Sequence, residues 1–244
     1  HFSTWFRIIA VDMRGYGRSD IVTTPYSLAD MADDVYAVCR QEGAAQAIVG
    51  GVSTGSGIAL LMGLDRPDFC KAVILVGGSP GSGPVTPDEL AQPTARMQNY
   101  LTLGMEKGHI AHLEDLVRPA YAKSPLGRHL LNSFVERGRR LGWTAEGICE
   151  VLRARRGTDM TPRLASMTVP TLVINGAYDN SLKGGRQTVA GVPGAVHRIL
   201  PDTGHACNIE DPATFDGYVL DFLRDNGLLA DGSAGLSATQ EANG

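Results

Sequence analysis

A chain of 244 residues, 43% hydrophobic and 20% charged, has the length and composition of one globular α/β domain with room for an insertion. Its net charge of −4 provides no basic footprint for a nucleic acid, and no apolar run approaches the roughly 18 residues that a membrane span needs. Cys39, Cys70, Cys149 and Cys207 lack C-x-x-C spacing and read as reduced thiols of a cytoplasmic protein. The chain begins at His1 rather than Met, which leaves a preceding leader segment open.

Residues 6–12, Phe-Arg-Ile-Ile-Ala-Val-Asp, are almost wholly apolar, the pattern of a strand covered on both faces by helices. A glycine-punctuated loop follows, Met13-Arg14-Gly15-Tyr16-Gly17-Arg18-Ser19-Asp20. Ser27 is placed to cap a helix carrying Leu28, Met31 and Val35, which Gly43 closes. The stretch around residues 47–61 then carries the most information. A β-branched strand meets Gly51-Val52-Ser53-Thr54-Gly55, and an apolar helix follows without a loop. Such a turn strains the residue at its apex and calls for small neighbours, here Gly51 and Gly55. The Ser53 hydroxyl would stand above the sheet with a helix N-terminus behind it.

Residues 72–76 form another buried strand. From 81 to 166 several amphipathic helices occur with no strand signal between them, one starting at Thr86-Pro87, and they read as an inserted helical lid. Strands resume at residues 169–176 and 196–200, and Asp211-Pro212 opens a last helix. The expected architecture is α/β, a mostly parallel sheet flanked by helices, with residues 1–80 and 167–227 as core and 81–166 as cap. Residues 228–244 are too poor in large apolar groups to pack and are expected to be disordered.

A serine hydroxyl needs a base beside it, and that base needs an acceptor to fix its tautomer. His205, in Asp202-Thr203-Gly204-His205, follows a strand; so does Asp179, in Gly176-Ala177-Tyr178-Asp179. Loops beyond strand ends are where open α/β sheets build their sites. Asp202 and Glu210 are the rival acids. His109 and His112 share i, i+3 spacing, but no acid or thiol completes a metal set, and they read as exposed. His129 and His197 read as surface residues and Cys207 as a buried filler. Arg137, Arg139 and Arg140, like Arg153, Arg155 and Arg156, read as solvated helix faces, with an anion site for a carboxylate substrate as the alternative.

From His1 to about Leu223 the chain resembles lidded α/β-hydrolases, the family of esterases and enol-lactone hydrolases. The resemblance is carried by Arg14-Gly15-Tyr16-Gly17-Arg18-Ser19, the turn 51–55, Val169-Pro170-Thr171-Leu172 leading to Asp179, and Gly204-His205 with Glu210 and Pro212. It implies Ser53 as nucleophile, His205 as general base, Asp179 as its orienting acid and the Thr54 N–H as an oxyanion donor, with no metal and no cofactor. The chain departs from the family pattern in several respects, one being that the loop after Asp179 lacks the proline often found there. Ser56 stands where a second glycine is usual, and the family's second oxyanion donor comes from a His-Gly segment that does not occur here. The family's first three strands also precede the first strand read here, so the sequence looks like a fragment. In the family's strand order one strand lies between residues 6–11 and 47–52, so a gap is expected there, together with poor folding or aggregation of residues 1–244 alone.

The activity that this resemblance implies is that of a serine hydrolase acting on small-molecule carboxylic esters or lactones, with neither nucleic acid nor membrane as partner. Carbon–carbon bond hydrolysis and cofactor-free perhydrolysis are the alternatives on the same triad. A hydrolase-like receptor with little turnover is the alternative of another class.

Overall fold

In the computed structural model, which describes residues 2–81, 83 and 85–229, four parallel strands form one sheet. They are β1 (Ala47–Val52), β2 (Cys70–Val76), β3 (Thr171–Gly176) and β4 (Val196–Leu200), side by side in chain order. Every residue of β3 is buried, which is why Leu172, Val173 and Ile174 run on as an apolar stretch rather than alternating with polar residues. Register pairs Val52 with Val76, Val76 with Ile174 and Gly176 with Leu200. All four strands therefore end along one edge of the sheet, and the loops beyond them converge there.

Helices cover both faces. α1 (Leu28–Gln41) starts at Ser27 as expected; the Ser27 hydroxyl accepts from the Asp30 N–H while the Asp30 carboxylate accepts from the Ser27 N–H. α2 (Thr54–Asp65) is apolar around its circumference because nine of its twelve residues are buried, between the sheet and α1. On the opposite face α10 (Pro212–Asp225) sets Val219, Phe222 and Leu223 against Ala72, Leu172 and Leu200. α8 (Leu182–Gly191) links β3 to β4, and the short α9 (Cys207–Glu210) precedes α10.

Between β2 and β3 the described residues form five α-helices, α3 (Pro87–Ala91), α4 (Ala95–Glu114), α5 (Pro119–Lys123), α6 (Pro125–Leu141) and α7 (Ala145–Arg156), and a 3-10 helix over Thr161–Ser166. Thr86 and Glu89 make a capping box at α3, with Pro87 in the first turn. Met97, Tyr100, Ile148 and Cys149 bind α4 to α7 in a separate small core. The Trp143 indole N–H donates to the Gly17 carbonyl at 3.2 Å, tying this layer to the loop 13–20.

One expected element does not form. Residues 6–12 adopt no strand, and Ile8 is 54% exposed. A strand needs a neighbour to pair its N–H and C=O groups, and this segment has none: β1 is an edge strand, bonded only to β2. Between them lies a groove of about 950 Å³, lined by Ile9, Val11, Val49, Gly51 and Val219 among others. A slot one strand wide (about 4.8 Å), one sheet thick (about 10 Å) and six residues long encloses a similar volume. The expected gap between two strands is therefore not formed as such: the groove has β1 as its single strand wall. An unpaired edge beside an apolar groove is a template for association. Residues 1–244 are accordingly expected to bind a hydrophobic dye and to elute as aggregates in size-exclusion chromatography. A dye-silent monomer with a sharp melt would contradict this.

Leu228 and Leu229 pack against the α10 core, and residues 230–244 of the expected disordered tail lie outside the described residues.

Candidate active site

β1 turns into α2 through Ser53 alone, which takes φ 56° and ψ −110°. For a residue with a Cβ such a conformation costs on the order of 1–3 kcal/mol and persists only where the surroundings impose it. Two hydrogen bonds do so: the Ser53 N–H donates to the Val76 carbonyl at 2.8 Å, and the Gly57 N–H donates to the Ser53 carbonyl at 3.2 Å. Of the two flanking glycines, Gly51 is the one that must be small, since a Cβ there would lie 2.4 Å from the Gly55 carbonyl carbon. A Cβ on Gly55 would meet nothing within 4 Å, so the sequence-based demand on that position falls away. Ser56 is buried against Gly78, whose missing Cβ leaves room for its hydroxyl. The Ser53 side chain caps no amide of α2, and the Thr54 N–H is the helix's first, with no partner inside it.

Asp179 and His205 meet as the chain order suggests. His205 Nδ1 and Asp179 Oδ1 are 2.8 Å apart, with both side chains buried. The carboxylate is held from several sides: Ser181 N–H and hydroxyl donate to Oδ1 at 2.7 and 2.8 Å, and Asn175 Nδ2 donates to Oδ2 at 2.8 Å. Burial pushes the Asp179 pKa up, but the hydrogen bonds and charge of His205 and the donors Asn175 and Ser181 outweigh it and bring it down to about 2. The imidazole lies over the end of β2, where Gly77 at φ 58° leaves it room; a Cβ there would stand 2.9 Å from His205 Cε1. Nδ1 is engaged by Asp179, and among the described residues no hydrogen bond joins His205 to Ser53.

The rival acids do other work. Asp202 is exposed and pairs with Arg118 at 3.3 Å. Glu210 Oε1 accepts from the Gly204 N–H at 2.7 Å, and its Oε2 accepts from the Arg118 N–H at 3.1 Å, so Glu210 fixes the loop that presents His205. His197 is not an idle surface residue: its Nε2 lies 3.0 Å from Asn175 Oδ1, which orients the Asn175 amide toward Asp179. Nothing in the spacing of Asn175, His197 and Ser181 signalled these roles. The Asn175–His197 contact arises from register, because β4 lies beside β3, whereas Ser181 and Asn175 reach Asp179 within the same turn of chain.

His109 and His112 also depart from expectation. His109 is 3% exposed, stacked on Phe134 and close to Trp143, and the Tyr100 hydroxyl bridges His109 Nδ1 at 3.2 Å and His112 Nδ1 at 2.7 Å. The reason is packing: α6 and Trp143 cover the face of α4 that carries them. Among the described residues no group of three or more His, Cys, Asp or Glu is arranged to hold a metal ion. Burial lowers the His109 pKa to about 4. At His112 burial acts first and Arg96, His109 and His205 add to it, bringing the value to about 3. Both imidazoles stay neutral in the fold, so the unfolded chain binds more protons as pH falls below the unperturbed 6.5. Their contribution to stability is complete above pH 6.5 and drains away toward pH 4 and below. Melting temperature should fall across that window, and the double variant His109→Gln/His112→Gln should flatten the fall; an unchanged slope in the variant would refute the assignment.

Known proteins resemble this chain in sequence and fold. The family described as alpha/beta hydrolase fold matches residues 2–212. A 2-hydroxy-6-oxononadienedioate/2-hydroxy-6-oxononatrienedioate hydrolase from Pseudomonas sp. is 27% identical over 222 residues, 89% of this chain and 77% of the relative. RutD of Klebsiella pneumoniae (strain 342), named as a carbamate hydrolase, is 25% identical over 89% of this chain and 81% of its own. The enol-lactonase from Burkholderia xenovorans LB400 superposes with a TM-score of 0.75 at 26% identity, covering 87% of this chain and 79% of that one. The parallel sheet, the strained serine turn and the match across residues 2–212 lead to one conclusion: the chain belongs to the alpha/beta hydrolase fold family.

Proposed function

We propose that this hydrolase cleaves carboxylic esters or lactones through an acyl-enzyme on Ser53. The observation that carries the reading is the Ser53 backbone, held at φ 56° and ψ −110° and bonded to the Val76 carbonyl, next to the Gly77 on which the ring of the Asp179-bound His205 lies. In the proposed cycle the Ser53 Oγ attacks the substrate carbonyl carbon while His205 Nε2 takes the hydroxyl proton. The carbonyl oxygen becomes an oxyanion beside the Thr54 N–H. Collapse breaks the bond to the leaving oxygen, which takes the proton from His205. Water, deprotonated by His205, then splits the acyl-serine and releases the acid. Asp179 stays ionised and orients the ring. No cofactor enters this cycle.

Residues 81–166 would serve as a cap over the strand ends, and residues 1–80 and 167–227 as the hydrolase core. The four buried free thiols support a reducing, cytoplasmic setting. The relatives' names, an enol-lactonase, a carbamate hydrolase and a hydrolase of a dioate, support hydrolysis of a small carbonyl compound. A panel of short activated esters, an enol lactone, a carbamate and a vinylogous diketone separates these substrates. Many turnovers per molecule on the ester or lactone are expected. Turnover confined to the carbamate or the diketone would move the assignment, and a single stoichiometric burst would favour a receptor.

A further inference from the structure

Only two non-glycine residues among those described have a positive φ: Ser53 in the turn after β1, and Asp202, just upstream of His205. Both stand at 56°. Aspartate tolerates the left-handed region better than most residues, but the conformation persists only where neighbours impose it. Arg118 is such a neighbour. Pro119 confines it to an extended backbone, φ −63° and ψ 143°, at the start of α5. Its Nη1 donates to the Asp202 carbonyl at 2.6 Å and lies 3.3 Å from the Asp202 carboxylate. The guanidinium carbon also sits 4.9 Å from the centre of the Tyr178 ring. Tyr178 immediately precedes Asp179, and its N–H donates to the Thr203 carbonyl at 3.0 Å. One guanidinium therefore spans the loop that carries the acid and the loop that carries the imidazole.

The backbone around Arg118 grips the imidazole loop on both sides of the histidine. After it, the Ala206 N–H donates to the Leu116 carbonyl at 2.7 Å. Before it, the Gly204 N–H donates to Glu210 Oε1 at 2.7 Å, and Glu210 Oε2 accepts from the Arg118 N–H at 3.1 Å. The approach is close enough to call for glycine: a Cβ on Gly204 would stand 3.1 Å from Glu210 Oε1 and 3.3 Å from both the Arg118 nitrogen and the Leu116 oxygen. The Tyr121 hydroxyl adds a bond to the Ile209 carbonyl at 3.3 Å. Among the described residues the His205 side chain has one hydrogen bond, to Asp179. The place of its ring relative to Ser53 therefore depends on how residues 202–206 are held.

We propose that Arg118 and Glu210 are positioning residues for the general base, so that the helices between β2 and β3 set the place of His205 through the segment Leu116–Arg118. Both act through the ring rather than on the substrate. The proposal rests on the serine-hydrolase reading for its catalytic meaning, while the clamp itself can be tested without turnover. A displacement of about 1 Å at a reacting group costs up to about a hundredfold in rate, so loosening this loop should be felt in kcat. An amide in place of the Glu210 carboxylate can accept only one of the two N–H groups, because its other end is a donor.

The kinetic test uses a short p-nitrophenyl ester, with kcat counted per serine titrated by a fluorophosphonate. Arg118→Ala and Glu210→Gln should each lower that kcat by about ten- to a hundredfold and leave KM within about twofold. Arg118→Lys keeps a donor for the Asp202 carbonyl and should recover part of the loss. Asp202→Asn keeps the carbonyl itself and should cost far less than Arg118→Ala. A merely structural role would lower the melting temperature and the number of titratable serines with kcat per serine unchanged, and that result overturns the proposal. The second test is nitrogen NMR of the Ser53→Ala chain carrying isotope-labelled histidine, with the His205 signals identified by their loss in His205→Gln. The intact clamp should give a single Nδ1-protonated tautomer, and Arg118→Ala or Glu210→Gln should turn it into a mixture. Such mixing in a chain that turns over no ester faults the proposed function alone. His205 signals unchanged in both variants overturn the clamp, whatever the turnover.

Discussion

Ser53→Ala is expected to remove ester hydrolysis almost entirely, a loss approaching about 10⁶ in turnover where the wild type is efficient, by analogy with other Ser-His-Asp enzymes. The size reflects the role. Without the hydroxyl no acyl-enzyme forms, and His205 and Asp179 lose the group they activate, so their contributions vanish together. Stability should change little or rise slightly, because the φ 56° conformation is imposed by the Val76 and Gly57 hydrogen bonds and remains whatever the side chain. Steady-state rates with a chromogenic ester and a thermal melt on the same samples check both halves. Ser53→Ala with more than about a thousandth of wild-type activity would mean that another nucleophile is at work.

Asp179→Asn is expected to cost about 10⁴ in turnover, while Asp202→Asn should stay close to wild type. Asp179 Oδ1 lies 2.8 Å from His205 Nδ1, and an amide there can present its N–H₂ to the ring and stabilise the wrong tautomer. Asp202 faces Arg118 instead, so its loss removes an exposed ion pair. A second consequence concerns acid. The Asp179 pKa is held near 2, below its ordinary 3.8, so its contribution to stability is present above pH 3.8 and is lost as pH falls toward 2. Asp179→Asn should remove that lower step while leaving the histidine window above pH 4 in place. Equal kinetic damage from the two substitutions would show that Asp179 is not the acid that orients the imidazole.

Much of this arrangement was legible in the sequence because its signals are local. The Ser27 and Thr86 caps, the glycine-flanked serine between a strand and a helix, and the loops holding Asp179 and His205 each declare themselves within a few residues. The features that stayed hidden depend on neighbours distant in the chain. Residues 6–12 have a strand's composition, yet composition cannot show that no pairing edge lies within reach. His109 and His112 have the spacing of an exposed helix face until α6 and Trp143 cover it. Glu210 was visible as a rival acid and as part of the family resemblance, but not as the carboxylate that braces the Gly204 N–H and the Arg118 N–H, the latter 92 residues away. The Asn175–His197 contact exists only because β4 lies alongside β3 in one register.

Treatment of the chain with a fluorophosphonate, then digestion and peptide mass spectrometry, reads the nucleophile itself rather than its product. The label should appear on Ser53 at close to one per chain, should be lost in Ser53→Ala, and should be slowed strongly in Asp179→Asn. Labelling that persists in Ser53→Ala, or that falls on another residue in the wild type, would contradict the assignment of Ser53 as the attacking group.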